Sequence, residues 1–216
     1  MKLIDKLTQG LPKKHKPKRA VKGLVARNFY IDGNLFIEKF DQVKNTESMQ
    51  MRNFRAKAIV DLTMSIECSL KSIILSLSKD NELPSDAYKK ARKCSHNLDK
   101  LYAEAILRAK NRFLFPPKKQ ALFDDLKSLG VGSRYSYEIW SLQFNSQAGT
   151  IFLGENIISR TIDDIKWANN LRDVAVLLNN ISNNCYYKFL SKHCTLYGNK
   201  NNTYEKHLNL FLDEIK

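Results

Sequence analysis

Apolar residues in this chain recur at helical spacing, and polar breaks divide them into segments. The clearest run lies between residues 56 and 77. Ile59, Leu62, Ile66, Leu70, Ile73 and Leu77 follow one another at steps of three and four, so they share one helix face. Asp80-Asn81-Glu82-Leu83-Pro84 then breaks the pattern with a polar turn and a proline. A short segment from Ser85 to Lys93 leads to Ser95-His96-Asn97, and the period resumes with Leu98, Leu101, Tyr102, Ala105 and Ala109. The pattern predicts two amphipathic helices joined by a polar elbow, with His96 at the start of the second.

The flanking sequence extends the same scheme. Val25, Phe29, Phe36 and Phe40 predict a helix from Val21 to Asn45, weakened at Gly33. Thr46-Glu47-Ser48 is a polar joint. A helix from near Met49 to Leu77 would hold about 30 residues and span about 45 Å, long enough to be the spine of a bundle. Pro116 and Pro117 stop the helix that ends near Ala109. Lys118 to Leu129 reads as a further helix with Ala121, Leu122, Leu126 and Leu129 inward and Gly130 as its C-cap.

Residues 131–154 form an irregular, aromatic-rich segment. The last long helix is placed from Asn156 to Lys192, with Thr161 and Asp164 as a capping box. Tyr204, Leu208, Phe211, Leu212 and Ile215 mark a terminal helix. No strand alternation lasts long enough for a sheet. The predicted fold is all-α: a helical bundle in which the spine packs antiparallel to the Leu98 helix and against the helix of residues 161–192.

Length and charge refine this. At 216 residues and 43% hydrophobic, the chain suits one folded domain. The net charge is +14, and residues 1–27 carry +8 of it, with nine Lys or Arg against one Asp. Residues 1–22 are therefore read as a basic flexible arm and 23–216 as the bundle. Lys13, Lys14, Lys16, Lys18, Arg19 and Lys22 form a run that would release counterions on a phosphate backbone, or simply stay solvated. The most apolar stretch contains Asp61, Glu67 and Lys71, so no membrane span is expected. The first residues have no signal-peptide character, and the four cysteines lack a disulfide spacing. A cytoplasmic location is expected.

Candidate chemistry is sparse. There is no glycine-rich phosphate loop, no His-Glu-x-x-His and no Cys-x-x-Cys. Cys94-x-His96 and His193-Cys194 lack zinc spacing, so neither a metal nor a cofactor is expected. Cys68 and Cys185 read as core thiols. Glu67 sits between apolar neighbours and needs a partner. Lys71 is one turn away, His96 follows the elbow, and Arg134 offers a fork suited to a carboxylate. These residues make either a structural cluster or a cationic pocket for phosphate or nucleotide, with Tyr135 beside it.

Ile66-Glu67-Cys68-Ser69-Leu70-Lys71, followed by Ser95-His96-Asn97-Leu98-Asp99-Lys100-Leu101 and later Ser133-Arg134-Tyr135-Ser136, resembles the HEPN family of helical proteins. The resemblance covers about residues 50 to 195. It implies an RNA- or nucleotide-associated protein, often paired as a homodimer, and a metal-independent ribonuclease or toxin of a toxin–antitoxin or antiphage-defence system. Active members carry an Arg and a His with four to six residues between them, placed at the dimer interface. There the Arg steadies phosphate charge and the His transfers a proton. Here Arg92 and His96 have only three residues between them. A second class fits the same sequence: a non-catalytic helical module for dimerisation or for a partner protein.

Overall fold

The computed structural model describes residues 17–79, 81–110, 115–129, 144–145, 150–151, 157–193 and 212–213. Six helices of ten residues or more lie within them: α1 (Pro17–Val43), α2 (Arg52–Ser76), α3 (Pro84–Lys93), α4 (Leu98–Ala109), α5 (Pro117–Leu129) and α6 (Ile165–His193). Among the described residues the only strand pairing is antiparallel, Phe144 with Ile151 and Asn145 with Thr150. The fold is an all-helical bundle.

The predicted spine is α2. It is 25 residues long, about 38 Å at the usual rise. Seventeen of those residues are buried, so α2 is enclosed rather than amphipathic. It starts three residues later than the apolar period suggests, because Glu47–Gln50 forms a short 3₁₀ turn that buries Met49. Arg55 fastens this turn. Its buried guanidinium donates to the Met49 carbonyl at 2.6 Å, to the Gln50 carbonyl at 3.2 Å and to the Ile162 carbonyl.

The contacts set the helix directions. Lys39 meets Asp61, Gly33 faces Ser65 and Ser69, and Ser72 donates to the Ala26 carbonyl at 2.8 Å, so α1 runs antiparallel to α2. Arg52 grips Asp163 through two 2.6 Å bonds, and Ser69 meets Asn179. Thus α2 and α6 run the same way. Ile59, Leu62, Ile66, Leu70 and Ile73 meet Leu171, Val174, Ala175 and Leu178 in one continuous core.

At Gly33, α1 meets both α2 and α6 at close range. A Cβ there would lie 3.0 Å from Asn179 Oδ1, 3.2 Å from Ser69 Oγ and 3.3 Å from the Ser65 carbonyl. The glycine that weakens α1 locally is what admits its neighbours.

Several expectations change. The segment Ser85 to Lys93 is helical, with Pro84 in its first turn and Ala87 and Ala91 buried. Its ten residues carry the chain back about 15 Å alongside α2. Consequently α4 begins beside Glu67 and ends with Arg108 donating to the Ile74 carbonyl at 3.1 Å. It therefore runs in the same sense as α2, not antiparallel, because α3 has already reversed the chain.

In α5 the inward residues are Phe123, Leu126 and Leu129, while Ala121 is exposed. Phe123 joins Tyr102 and Phe115 in an aromatic cluster with centroids 4.9–5.3 Å apart. Helix α6 starts at Ile165, not near Asn156, since 157–163 is a series of turns. Asp164 alone caps it, accepting from the Lys166 amide at 2.8 Å, while Thr161 donates to the Ile157 carbonyl instead.

Helix α1 begins at Pro17, so residues 17–22 belong to the bundle and not to an arm. Arg19 and Val21 are buried, and Lys22 is buried with its ammonium on the Lys79 carbonyl at 2.8 Å. The expected C-cap at Gly130, most of the aromatic segment and most of the terminal helix lie outside the described residues.

Candidate functional site

The elbow between α3 and α4 is built by local hydrogen bonds. Cys94 closes α3, and Ser95 adopts a left-handed backbone at φ 50°, which non-glycine residues rarely accept. The Ser95 amide donates to the Arg92 carbonyl at 2.8 Å and the Asn97 amide to the Cys94 carbonyl at 3.0 Å. Asn97, not His96, caps α4: its side chain accepts from the Lys100 amide at 2.9 Å. Leu98 then turns into the core. This sequence of turns holds His96 against the side of α2.

Glu67 stands on α2 and is 1% exposed. Burying a carboxylate requires donors, and this one has two. Lys71, one turn on, donates from Nζ to Oε1 at 2.6 Å. His96 places Nδ1 2.8 Å from Oε2. Lys71 also lies 5.8 Å from the centroid of Phe29, whose ring stacks on Tyr88 at 6.2 Å. The two ends of the carboxylate differ in surroundings: the imidazole is 44% exposed, whereas the Lys71 side chain is 13% exposed.

This arrangement has a definite chemistry. A carboxylate accepts, so the imidazole nitrogen facing it carries the hydrogen. Nε2 is then the nitrogen left for proton transfer, in a ring whose orientation the buried carboxylate sets. A second carboxylate cluster ties the segment before α3 to the last turns of α4. Arg108 grips Glu82 through two 2.9 Å bonds and Glu104 at 2.6 Å, and Lys90 joins Glu82 at 3.2 Å. Burial pushes the Glu82 carboxyl up, but Arg108 and Lys90 more than offset it and hold it at about 2.

The structure thus brings together Glu67, Lys71 and His96. It separates Arg92 from that group in one respect: Arg92 is exposed in the last turn of α3, and the helix ends before His96, so the two do not share a helical turn. Arg134, Tyr135, Lys13, Lys14 and Lys16 lie outside the described residues. Phe29 and Tyr88 are contributors that the sequence does not single out, because each looks like one more apolar helix residue. Burial raises the Cys68 thiol to about 12, with Glu67 and Asp32 adding to the effect. The Cys185 thiol is raised by burial as well.

Among the described residues no group of three His, Cys, Asp or Glu side chains could hold a metal ion, and no helix is long and apolar enough to cross a membrane. No family model, curated protein or solved structure matches the chain.

Proposed function

We propose that this chain is a HEPN-like, RNA-associated protein, acting as an endoribonuclease of a toxin–antitoxin or antiphage-defence system. The observation that carries this reading is the Glu67–His96 pair: a buried carboxylate bonded at 2.8 Å to a half-exposed imidazole. In RNA cleavage, Nε2 of His96 would take the proton of a ribose 2′-hydroxyl. That oxygen would attack phosphorus as the P–O5′ bond breaks, and the 5′-oxygen would leave with the proton handed on from the His96 imidazolium, giving a 2′,3′-cyclic phosphate and a 5′-hydroxyl. Glu67 would steady the imidazolium that forms. Arg92, exposed nearby in sequence, would supply positive charge to the phosphate, within a site shared by two copies of the chain.

The test is incubation of the purified protein with total RNA and with a labelled oligonucleotide. His96→Ala and Glu67→Gln serve as the paired controls. Cleavage that disappears in His96→Ala, with RNA binding retained, supports the reading. Absence of cleavage by the wild type across substrates and pH 6–8 counts against it.

A second reading draws on a different observation. Leu107 on α4 is 71% exposed, an apolar side chain left in solvent. That favours a non-catalytic module that pairs with itself or a partner protein. Loss of self-association in Leu107→Asp, together with no RNA cleavage, would select it.

A further inference from the structure

The outer face of α3 carries charge that the fold does not neutralise. Its inner face is small and apolar, with Ala87 and Ala91 fully buried. Opposite them, Lys89, Lys90, Arg92 and Lys93 are exposed, and Lys100 extends the set into the first turn of α4. Lys90 is committed to Glu82. Among the described residues, Lys89, Arg92, Lys93 and Lys100 have no carboxylate within ion-pair distance. The acidic residues on this stretch are Asp86 and Asp99, and Asp99 is taken by Lys127 at 2.9 Å. The bland reading is that these cations complement the C-terminal dipole of α3. That accounts for one or two charges in the last turn, not for Lys89 or for Lys100 on the next helix.

Two more observations give this face a direction. Arg92 and Lys93 occupy the last turn of α3 and Lys100 the first turn of α4, so the row brackets the elbow that holds His96. The face is also wholly polar. Between residues 84 and 100 no large apolar side chain is exposed, while Ser95 and Asn97 are. Protein partners dock on apolar or aromatic anchors, and none is offered here. A flexible polyanion needs only spaced cations and polar groups.

We propose that the outer face of α3 and the adjoining elbow form the docking track for the sugar–phosphate backbone of single-stranded RNA, delivering the strand to His96. Arg19 and Lys22 are buried in the bundle and add nothing to this face. The inference rests on RNA being the ligand, as proposed above.

The test is fluorescence anisotropy of a labelled single-stranded RNA of 20 nucleotides between 50 and 200 mM KCl. The combined variant Lys89→Ala, Lys93→Ala, Lys100→Ala is compared with Lys57→Ala, Lys118→Ala, Lys166→Ala, an equal charge change at exposed lysines elsewhere. Thermal melts confirm that both fold. Losing three phosphate contacts should flatten the slope of log K against log salt by about 2 and weaken binding at least tenfold at 100 mM KCl, while the control changes less than threefold. Equal losses in both variants, or an unchanged slope in the first, overturn the proposal. So does a wild type that binds polyglutamate but not RNA. The two readings fail separately. If the salt slopes differ as stated but no RNA is cut, the docking face stands and the nuclease does not. If cleavage persists with unchanged KM in the α3 variant, the docking face falls and the nuclease stands.

Discussion

His96 reaches Glu67 across twenty-nine residues of sequence, its Nδ1 2.8 Å from Oε2. The pair closes only because α3 retraces part of α2 before the elbow forms. Its two members contribute unequally, which gives the first prediction. Removing His96 leaves Glu67 with Lys71 as a donor, and a half-exposed imidazole stabilises little. His96→Ala should cost less than about 1 kcal/mol. Glu67→Ala strands the Lys71 ammonium in a largely buried setting and should cost about 3 kcal/mol. Urea melts of both variants at pH 7.5 check this, and equal losses would contradict it.

Glu82 makes stability depend on acid. Its carboxyl is held at about 2 in the fold, against 4.5 when unperturbed. Between those values the unfolded chain binds the proton that the folded chain refuses. The contribution is therefore complete above about pH 4.5 and lost as the pH falls towards 2. Glu82→Gln should lower stability at pH 7 by about 2 kcal/mol. The gap to wild type should narrow steadily below pH 4.5. Chemical melts at pH 7, 4 and 3 measure it; a gap that is constant with pH would rule out the mechanism.

Gly33→Ala pits two local effects against each other. Alanine is favoured over glycine in a helix by about 1 kcal/mol. Its Cβ would press on Asn179 Oδ1 at 3.0 Å and on the Ser65 carbonyl at 3.3 Å, and backbone cannot swing aside. A net loss of about 1 kcal/mol is expected, and Gly33→Leu should not fold stably. A raised melting temperature for the alanine variant would show that the helices part without cost.

Cys68 should be silent. Burial, with help from Glu67 and Asp32, pushes its thiol to about 12, so almost no thiolate exists at pH 8. Alkylation of the native protein followed by mass spectrometry should leave Cys68 unmodified, and addition of guanidinium should expose it. Rapid labelling under native conditions would indicate local opening of α2.

The bundle and the meeting of Glu67, Lys71 and His96 are legible in the sequence because each depends on spacing along a helix or on a turn. Ile59 to Leu77 announce α2, and a lone glutamate on an apolar face demands donors. Helix α3 is harder to see. Its buried side rests on Ala87 and Ala91, which carry no periodic signal of size or hydropathy. Missing it reverses the inferred direction of α4. Lys22 misleads differently: composition places it in a solvated run, yet its ammonium donates to the Lys79 carbonyl inside the bundle. The Glu82–Arg108 clamp joins residues 26 positions apart, and only the i, i+4 pair Glu104 with Arg108 is visible locally.

The links between Asp41 and Arg172 and between Arg52 and Asp163 span 131 and 111 positions. They bear on how the protein is made. During synthesis at about 5–20 residues per second, α1 and α2 are complete many seconds before the partner that covers their second side exists. Until α6 emerges, the side of Leu62, Ile66 and Leu70 that meets Leu171, Val174 and Leu178 faces water or a chaperone. A ribosome stalled before residue 165 would display helices α1 to α5 with the α6-facing side of α2 still open, and the cell would have to shield that surface or destroy the chain.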